Sequence, residues 1–435
     1  MQNKQIYSWW RDYRWHIITI MLISSIINYV DRVNISFATA NITREFNLSY
    51  SQIGFLLAAW MWPYAAANLP SGWLIDKLGI NKIFVWSIIL WSIATICGGL
   101  AINYPQLYLS RVLLGIAEAP FFVIGAKIIQ MYFASNARGL ASGVLNLGPK
   151  AANSLAPPII AALIIFTGWR GMFIILGGSG FIIAGLWLAI YKKDDNYPSN
   201  NNLNSKVKKL NSNLKTTKPT NFSIWKLINH KTTWWFNLGN IGSSYVFWLY
   251  FTWLPTYLMN ERGLNLKTTG WVSTVPFLAG MIAVPLGGYL SDMLIKKYNF
   301  DFITARVRPA LIGCLVAGIA VIPINYIDNL TIVVILFTIS TFAISIRAGV
   351  LWALVSDISP KSAVGTFGGI QNCASFIGGA LAPTISGIIL QSTGNYNIVF
   401  GISGILVILA AFCYAMIDHH ITIEDIDICS KHNTK

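Results

Sequence analysis

Run after run of about 20 mostly apolar residues follows along this chain, each long enough to cross a bilayer core of about 30 Å. Such runs dictate the fold class, because a backbone in lipid must satisfy its own hydrogen bonds and so becomes helix. The rest of the composition agrees. Of 435 residues, 55% are hydrophobic and only 11% charged, against about 25% charged in globular domains. The chain is read as an all-α integral membrane protein. The net charge of +15 would suggest nucleic acid in a soluble protein, but here the basic residues fall mainly in loops and no nucleic-acid partner is expected. The five cysteines form no CxxC pair and are read as reduced. The five histidines lack metal-ligand spacing, so no metal is expected. Residues 1–15 are polar and aromatic, and no cleavable leader is expected.

The pattern places twelve spans, at roughly 16–39, 52–75, 83–101, 106–130, 138–166, 170–191, 233–258, 270–292, 308–327, 331–356, 364–391 and 396–418. Of 31 Lys and Arg, 22 fall on the side of the N-terminus and four (Arg44, Arg170, Arg262, Lys267) on the other. The positive-inside rule therefore puts both termini in the cytoplasm. Residues 192–232, rich in Asn, Ser and Lys, read as a basic cytoplasmic linker. It separates an N-terminal six-helix bundle, 1–191, from a C-terminal one, 233–435, that ends in a short cytoplasmic tail.

The halves repeat. "SGWLIDKLG" after span two resembles "GGYLSDMLI" after span eight, matching Asp76 with Asp292 and Gly72 with Gly288. In spans five and eleven, Gly143, Asn146 and Pro157 align without a gap to Gly369, Asn372 and Pro383, and Thr167-Gly168 to Thr393-Gly394. Repeated bundles around a midplane site are a transporter architecture.

Charges inside spans then locate a site. A charge near the bilayer centre costs about 2.5–3.5 kcal/mol on insertion scales. Asp31 and Arg32, about two-thirds along span one, must therefore face a wet cavity or charged partners. Span four supplies Arg111 and Glu118, seven residues apart and so on one helical face. Counting residues puts Asp31, Arg32 and Arg111 roughly level, with Glu118 nearer the middle. Arginine stays protonated and binds carboxylate or phosphate through a planar fork. A carboxylate beside it can load a proton on one side and release it on the other. The alternative is a permanent ion-paired network joining spans one and four. Lys150 in span five is a third cation, for an anionic solute or as counter-ion to Asp31 or Glu118. Arg347 in span ten lies deeper by count, as ligand, snorkelling residue or part of an inner gate. Tyr29, Tyr64 and Asn372 are polar groups inside spans that need partners. No Ser/His/Asp set, metal spacing or phosphate-cradling glycine loop is present, so the chain is not expected to be an enzyme. No cofactor is expected beyond protons as coupling ion.

The repeat and "GWLIDKLGINK" resemble the major facilitator superfamily, with Ile80 and Asn81 where Arg is common. The resemblance implies two pseudo-symmetric six-helix bundles. It makes Asp76, Lys77 and Asp292 gate residues that latch the cytoplasmic ends. "NYVDRVNISFA", "RVLLGIAEAPFF", "FTWLPTYLMNERG" and "LWALVSDISP" together resemble its anion:cation symporter family. That likeness implies proton-coupling roles for Asp31 and Glu118. It implies anion holding or carboxylate pairing for Arg32 and Arg111, and a sugar-acid site lined by Tyr29, Tyr64, Trp352 and Asn372. Helix counting instead puts Trp352 near the cytoplasmic end. Pro149-Lys150 stands where the family has a small or polar uncharged pair, and Lys150 with Arg347 points to a dianionic solute or a changed coupling ratio.

The expectation is a proton-coupled importer of a small organic anion, such as a hexuronate, aldonate or aldarate. It would work by alternating access as a monomer in the lipid bilayer of a bacterial inner membrane. An anion exchanger or exporter, for a dicarboxylate, phosphate ester or siderophore, is the alternative.

Overall fold

The computed structural model describes residues 13–133, 138–191, 227–228, 230–359 and 364–417. The basic linker and both tails fall almost wholly outside them. The described chain is built from helices in the order α1 Tyr13–Phe46, α2 Tyr50–Ala58, α3 Met61–Leu78, α4 Ile80–Gly99, α5 Tyr104–Glu118, α6 Pro120–Tyr132 and α7 Arg138–Ile190. There follow α8 Lys231–Asn260, α9 Leu266–Tyr298, α10 Phe302–Val321, α11 Leu330–Ile358, α12 Val364–Thr393 and α13 Tyr396–Ala415.

Among the described residues, nine stretches are long and apolar enough to cross a membrane. One of them, Leu140–Ile190, is two spans joined at Gly168, where φ is 72°. Two more crossings, α2 with α3 and α8, carry polar residues along their length, such as Asn68, Ser71, Asn237 and Asn240. Twelve crossings result, as the sequence pattern indicates. Span four is interrupted where Pro120, which has no N–H to continue the ladder, separates α5 from α6. Span nine begins earlier than the apolar run suggests, because Asp301 caps α10 by accepting from the Thr304 N–H at 2.9 Å. That bond holds the Asp301 carboxyl below its usual range.

The repeat is visible in backbone geometry. Gly168 and Gly394, equivalent in the two halves, have φ of 72° and 62°, the left-handed region that glycine enters without penalty. Each ends one helix and turns the chain into the next.

By contacts the chain divides into two compact units that do not coincide with the repeats. Unit 1 holds Met1–Asn34, Pro63–Ala156 and Phe166–Thr217, and unit 2 holds Ile35–Trp62, Pro157–Ile165 and Lys218–Lys435. Unit 1 is centred on Phe84, Trp91, Phe121 and Trp187, all fully buried.

Unit 2 joins short segments of the first repeat to the whole of the second. Glycine makes this close approach feasible. A Cβ on Gly54 of α2 would lie 2.4 Å from the Pro383 carbonyl, and one on Gly387 of α12 2.5 Å from that of Tyr50. The repeat-related crossing puts Gly270 of α9 against Pro157 and Ala161 of α7. Around the first crossing, Thr39 and Thr256 share a 2.7 Å hydrogen bond, and Trp60 meets Trp248 edge-on at 5.5 Å.

Candidate functional site

The polar stretch of α1 stays helical because its backbone bonds are internal, and its side chains are almost fully withdrawn. Asn28, Asp31, Asn34 and Ser36 are 0% exposed and Arg32 is 1%. Residues three and four apart share a helix face. Asn28 and Arg32 form one such pair, and Asp31 and Asn34 form another on the adjacent face. Opposite them, α5 presents Arg111 and Glu118, two turns apart and buried to 1% and 0%. The helices run antiparallel, so Glu118 meets Arg32 and Arg111 meets Asp31 and Asn34.

Arg32 Nε donates to Glu118 Oε2 at 2.8 Å. Its guanidinium is held between two rings, with centroids 4.6 Å away for Tyr29 and 4.7 Å for Tyr64 of α3. Both contacts are cation–π geometry, which strengthens when desolvated. Tyr29 is in turn braced by Phe122 of α6, edge-on at 6.2 Å.

Arg111 is held differently. Nη1 donates to the Asp31 backbone carbonyl at 2.9 Å, and Nη2 to Asn34 Oδ1 at 2.9 Å. Asn34 Nδ2 then donates to Asp31 Oδ1 at 3.4 Å. The Phe173 ring of α7 lies 4.5 Å from the guanidinium carbon. The Arg111 and Asp31 side chains are therefore linked through Asn34 rather than by an ion pair. Ser87 of α4 donates to the Ala117 carbonyl beside the α5–α6 break, just ahead of Glu118.

Two carboxylates and two guanidiniums thus form one buried, formally neutral cluster. It is under-satisfied. Among the described residues, Asp31 Oδ2, Glu118 Oε1 and Arg111 Nε have no hydrogen-bond partner. Native interiors pair roughly 90% or more of such groups. These unsatisfied groups are concentrated where α1 faces α5.

The structure brings together Tyr29, Asp31, Arg32, Tyr64, Arg111 and Glu118. Asn28, Asn34 and Phe173 belong with them and were not singled out in the sequence. The "NYVDRVN" spacing carried the signal for the two asparagines. Lys150, also in unit 1, is half-buried on α7.

The other candidates lie in unit 2. Asn372 of α12 is half-buried. Trp352 of α11 is 61% exposed and crosses α12 at Gly368, where a Cβ would meet its ring at 3.1 Å. Arg347 stands five residues before Trp352, about 140° away around the helix. It turns into the bundle, 6% exposed, and donates through Nη1 to Asn240 Oδ1 at 2.7 Å and to the Tyr414 hydroxyl at 3.1 Å.

Of the gate candidates, Asp76 pairs with Lys127 of α6. Lys77 lies over the Trp73 ring at 4.9 Å. Asp292 accepts from Arg306 at 2.7 Å, and Arg306 also holds Asp357 of α11 at 3.3 Å. The ion pairs each join helices of a single unit, and the Lys77–Trp73 contact lies within α3.

The comparisons agree with this architecture. The family model of the Major Facilitator Superfamily matches residues 21–383 and 270–424. The chain is 28% identical over 421 residues to the "Probable galactarate/D-glucarate transporter" of Escherichia coli (strain K12), covering 93% of this chain and 94% of that one. It is 30% identical over 396 residues to the "Probable L-galactonate transporter" of the same organism, covering 91% and 87%. Among solved structures, a bacterial homolog of the human lysosomal transporter Spinster, inward-facing and occupied, superposes with a TM-score of 0.78 at 20% identity, over 95% of this chain and 98% of that one. The chain is a member of the Major Facilitator Superfamily, an integral membrane transporter and not an enzyme.

Proposed function

We propose that the chain takes up an organic anion of the sugar-acid class together with protons, by alternating access. The observation that carries this reading is the Arg32–Glu118 pair with its surroundings. With both carboxylates ionised, the cluster is neutral and Arg32 is engaged. Protonating Glu118 removes its charge from Arg32 and leaves the cluster cationic, which favours a substrate carboxylate at the guanidinium. Protonating Asp31 does the same for Arg111 through Asn34. Loading of anion and proton thereby becomes mutually supporting, and release of one weakens the hold on the other. Tyr29 and Tyr64 frame Arg32 and supply hydroxyls suited to a polyhydroxylated solute.

The relatives named for galactarate/D-glucarate and L-galactonate support the substrate class, as does the resemblance to anion:cation symporters. Trp352, Asn372 and Lys150 are assigned as further lining of the path. The ion pairs of Asp76 and Asp292 are assigned as gate elements that exchange partners as the bundles rock. The charge bias of the loops supports cytoplasmic termini, and a bacterial inner membrane is the assigned location.

The test uses purified protein in liposomes carrying an internal pH dye. Glucuronate, galactonate, glucarate, glutamate, phosphate and dicarboxylates are added outside in turn. Wild type is expected to acidify the lumen with a sugar acid, and Glu118→Gln is not. Labelled anion crossing with no proton movement in either protein would overturn symport in favour of exchange.

A further inference from the structure

We propose that the trough between α9 and α10 is a binding site for one anionic glycerophospholipid, its phosphate on Arg308 and one acyl chain along the trough. The trough has a cause in the sequence. Gly313 brings α10 onto α11, where a Cβ would lie 2.4 Å from the Ala343 carbonyl. Gly287 brings α9 onto α11, where a Cβ would lie 2.2 Å from the Ile346 carbonyl. Both helices are therefore seated tightly on α11 and meet each other little. Between them remains a cavity of about 560 Å³.

Its walls suit a hydrocarbon chain. Leu290, Met293, Ile312 and Ile339 line it, and Ile312 is 57% exposed. Thr338, a polar wall residue, has its hydroxyl turned to the Val334 carbonyl of its own helix. Along α9 the lining extends from Ala279 to Leu294, about 22 Å of helix, against about 15 Å for one leaflet of a bilayer core.

Among the described residues, the one charged wall residue is Arg308. It stands six residues into α10, and side chains in a helix lean toward the N-terminus. Arg308 follows that rule, and its guanidinium carbon lies 4.1 Å from the centroid of Phe300, in the loop before α10. The charge is thus carried back to the level of the α9–α10 turn, where headgroups lie. Arg306, two residues earlier, is committed to Asp292 and Asp357. Arg308 has no carboxylate within ion-pair distance among the described residues. A guanidinium matches phosphate through two parallel N–H bonds. Lys296 and Lys297, exposed in the last turn of α9 at the same membrane face, add positive charge. Basic pockets of this kind between membrane helices select anionic over zwitterionic headgroups.

The experiment is native mass spectrometry of the full-length protein released from nanodiscs of phosphatidylglycerol and phosphatidylethanolamine with matched chains. Wild type is expected to retain one phosphatidylglycerol with about tenfold preference over phosphatidylethanolamine. Arg308→Gln is expected to retain both equally. Ile312→Trp, which fills the trough at an already exposed position, is expected to retain neither. Glycerol phosphate, which has no chain, is expected not to displace the bound lipid. Absence of preference in wild type, an unchanged preference in Arg308→Gln, or displacement by glycerol phosphate each overturns the proposal. Elution as a single folded species qualifies each variant, and the Arg308→Gln comparison decides alone if the tryptophan variant fails to fold.

Discussion

Arg32 and Glu118 are joined by a 2.8 Å hydrogen bond between two fully buried charges. Breaking such a pair from one side leaves an uncompensated charge, which costs about 3–5 kcal/mol. Glu118→Ala and Arg32→Ala are each expected to lower thermal stability in detergent by that order. Because one contact accounts for much of both losses, the double variant is expected to lose well under their sum. A double-mutant cycle on unfolding midpoints checks this, and strict additivity would show that the two side chains are energetically independent.

Arg32→Lys keeps the charge but removes the planar group held by Tyr29 and Tyr64 and the Nε bond to Glu118. A lysine is a compact point charge and cannot reproduce a stacked, forked contact. Initial uptake of the preferred anion is expected to fall at least about tenfold, equivalent to about 1.4 kcal/mol in the barrier. Uptake near the wild-type rate would mean that charge alone suffices at this position.

Asn34 satisfies Arg111 Nη2 with its oxygen and turns its amide nitrogen toward Asp31. Asn34→Leu fits the volume but leaves a buried guanidinium group without that acceptor, at a cost of about 1–3 kcal/mol. Asn34→Asp restores an acceptor for Arg111 while removing the donor to Asp31. Stability in detergent is expected to fall for the leucine variant and to hold for the aspartate variant. Uptake is expected to fall in both, because both cut the link to Asp31. If Asn34→Asp transports at the wild-type rate, the link has no part in the cycle.

Much of this was legible in the chain itself. The count of spans follows from the apolar runs, and the Gly168 and Gly394 turns from the offset of the repeat. The convergence of Asp31, Arg32, Arg111 and Glu118 follows from helical spacing and depth, because a charge in a bilayer has few places to go. Who pairs with whom did not follow. Depth counting put Asp31, Arg32 and Arg111 level, but side-chain reach decides partners, and Arg111 found a backbone carbonyl and an asparagine. Asn28 and Asn34 were passed over because a neutral amide gives a weak signal beside two charges. The make-up of unit 2, which draws on both repeats, was also hidden. It depends on glycines such as Gly54 whose role is set by a neighbour more than 300 positions away.

That glycine contact makes its own prediction. Gly54→Val places branched carbons where a Cβ already lies 2.4 Å from the Pro383 carbonyl, a backbone atom that cannot swing aside. Overpacking of this kind typically costs about 1–3 kcal/mol and shifts backbones. Gly72→Ala, with nothing within 4 Å of its Cβ, is the matched control. Uptake is expected to be lost in Gly54→Val and kept in Gly72→Ala. A cysteine-accessibility assay at Thr39 and Thr256 is expected to show greater labelling of both positions in the Gly54→Val background. Unchanged labelling would mean that α2 and α12 adjust without parting.

Arg347, a charge inside span ten that suits a ligand, a snorkelling residue or part of an inner gate, has surroundings in unit 2 that suit a tie between helices. Asn240 bridges it to α12 by donating to the Gln371 carbonyl and the Ser375 hydroxyl, while the Tyr414 hydroxyl reaches it from α13. It ties four helices through one guanidinium. Trp352, on a different face of the same helix, is well exposed. Arg347→Met keeps most of the volume but leaves Asn240 Oδ1 and the Tyr414 hydroxyl short of a donor, at about 1–3 kcal/mol for each group left unsatisfied. The expected result is a lower unfolding temperature, with a substrate KM close to wild type in the protein that remains folded. Trp352→Ala is expected to do the reverse, raising KM with little change in unfolding temperature. A KM raised severalfold by Arg347→Met at unchanged stability would instead return Arg347 to the substrate path, and with it the case for a second carboxylate on the solute.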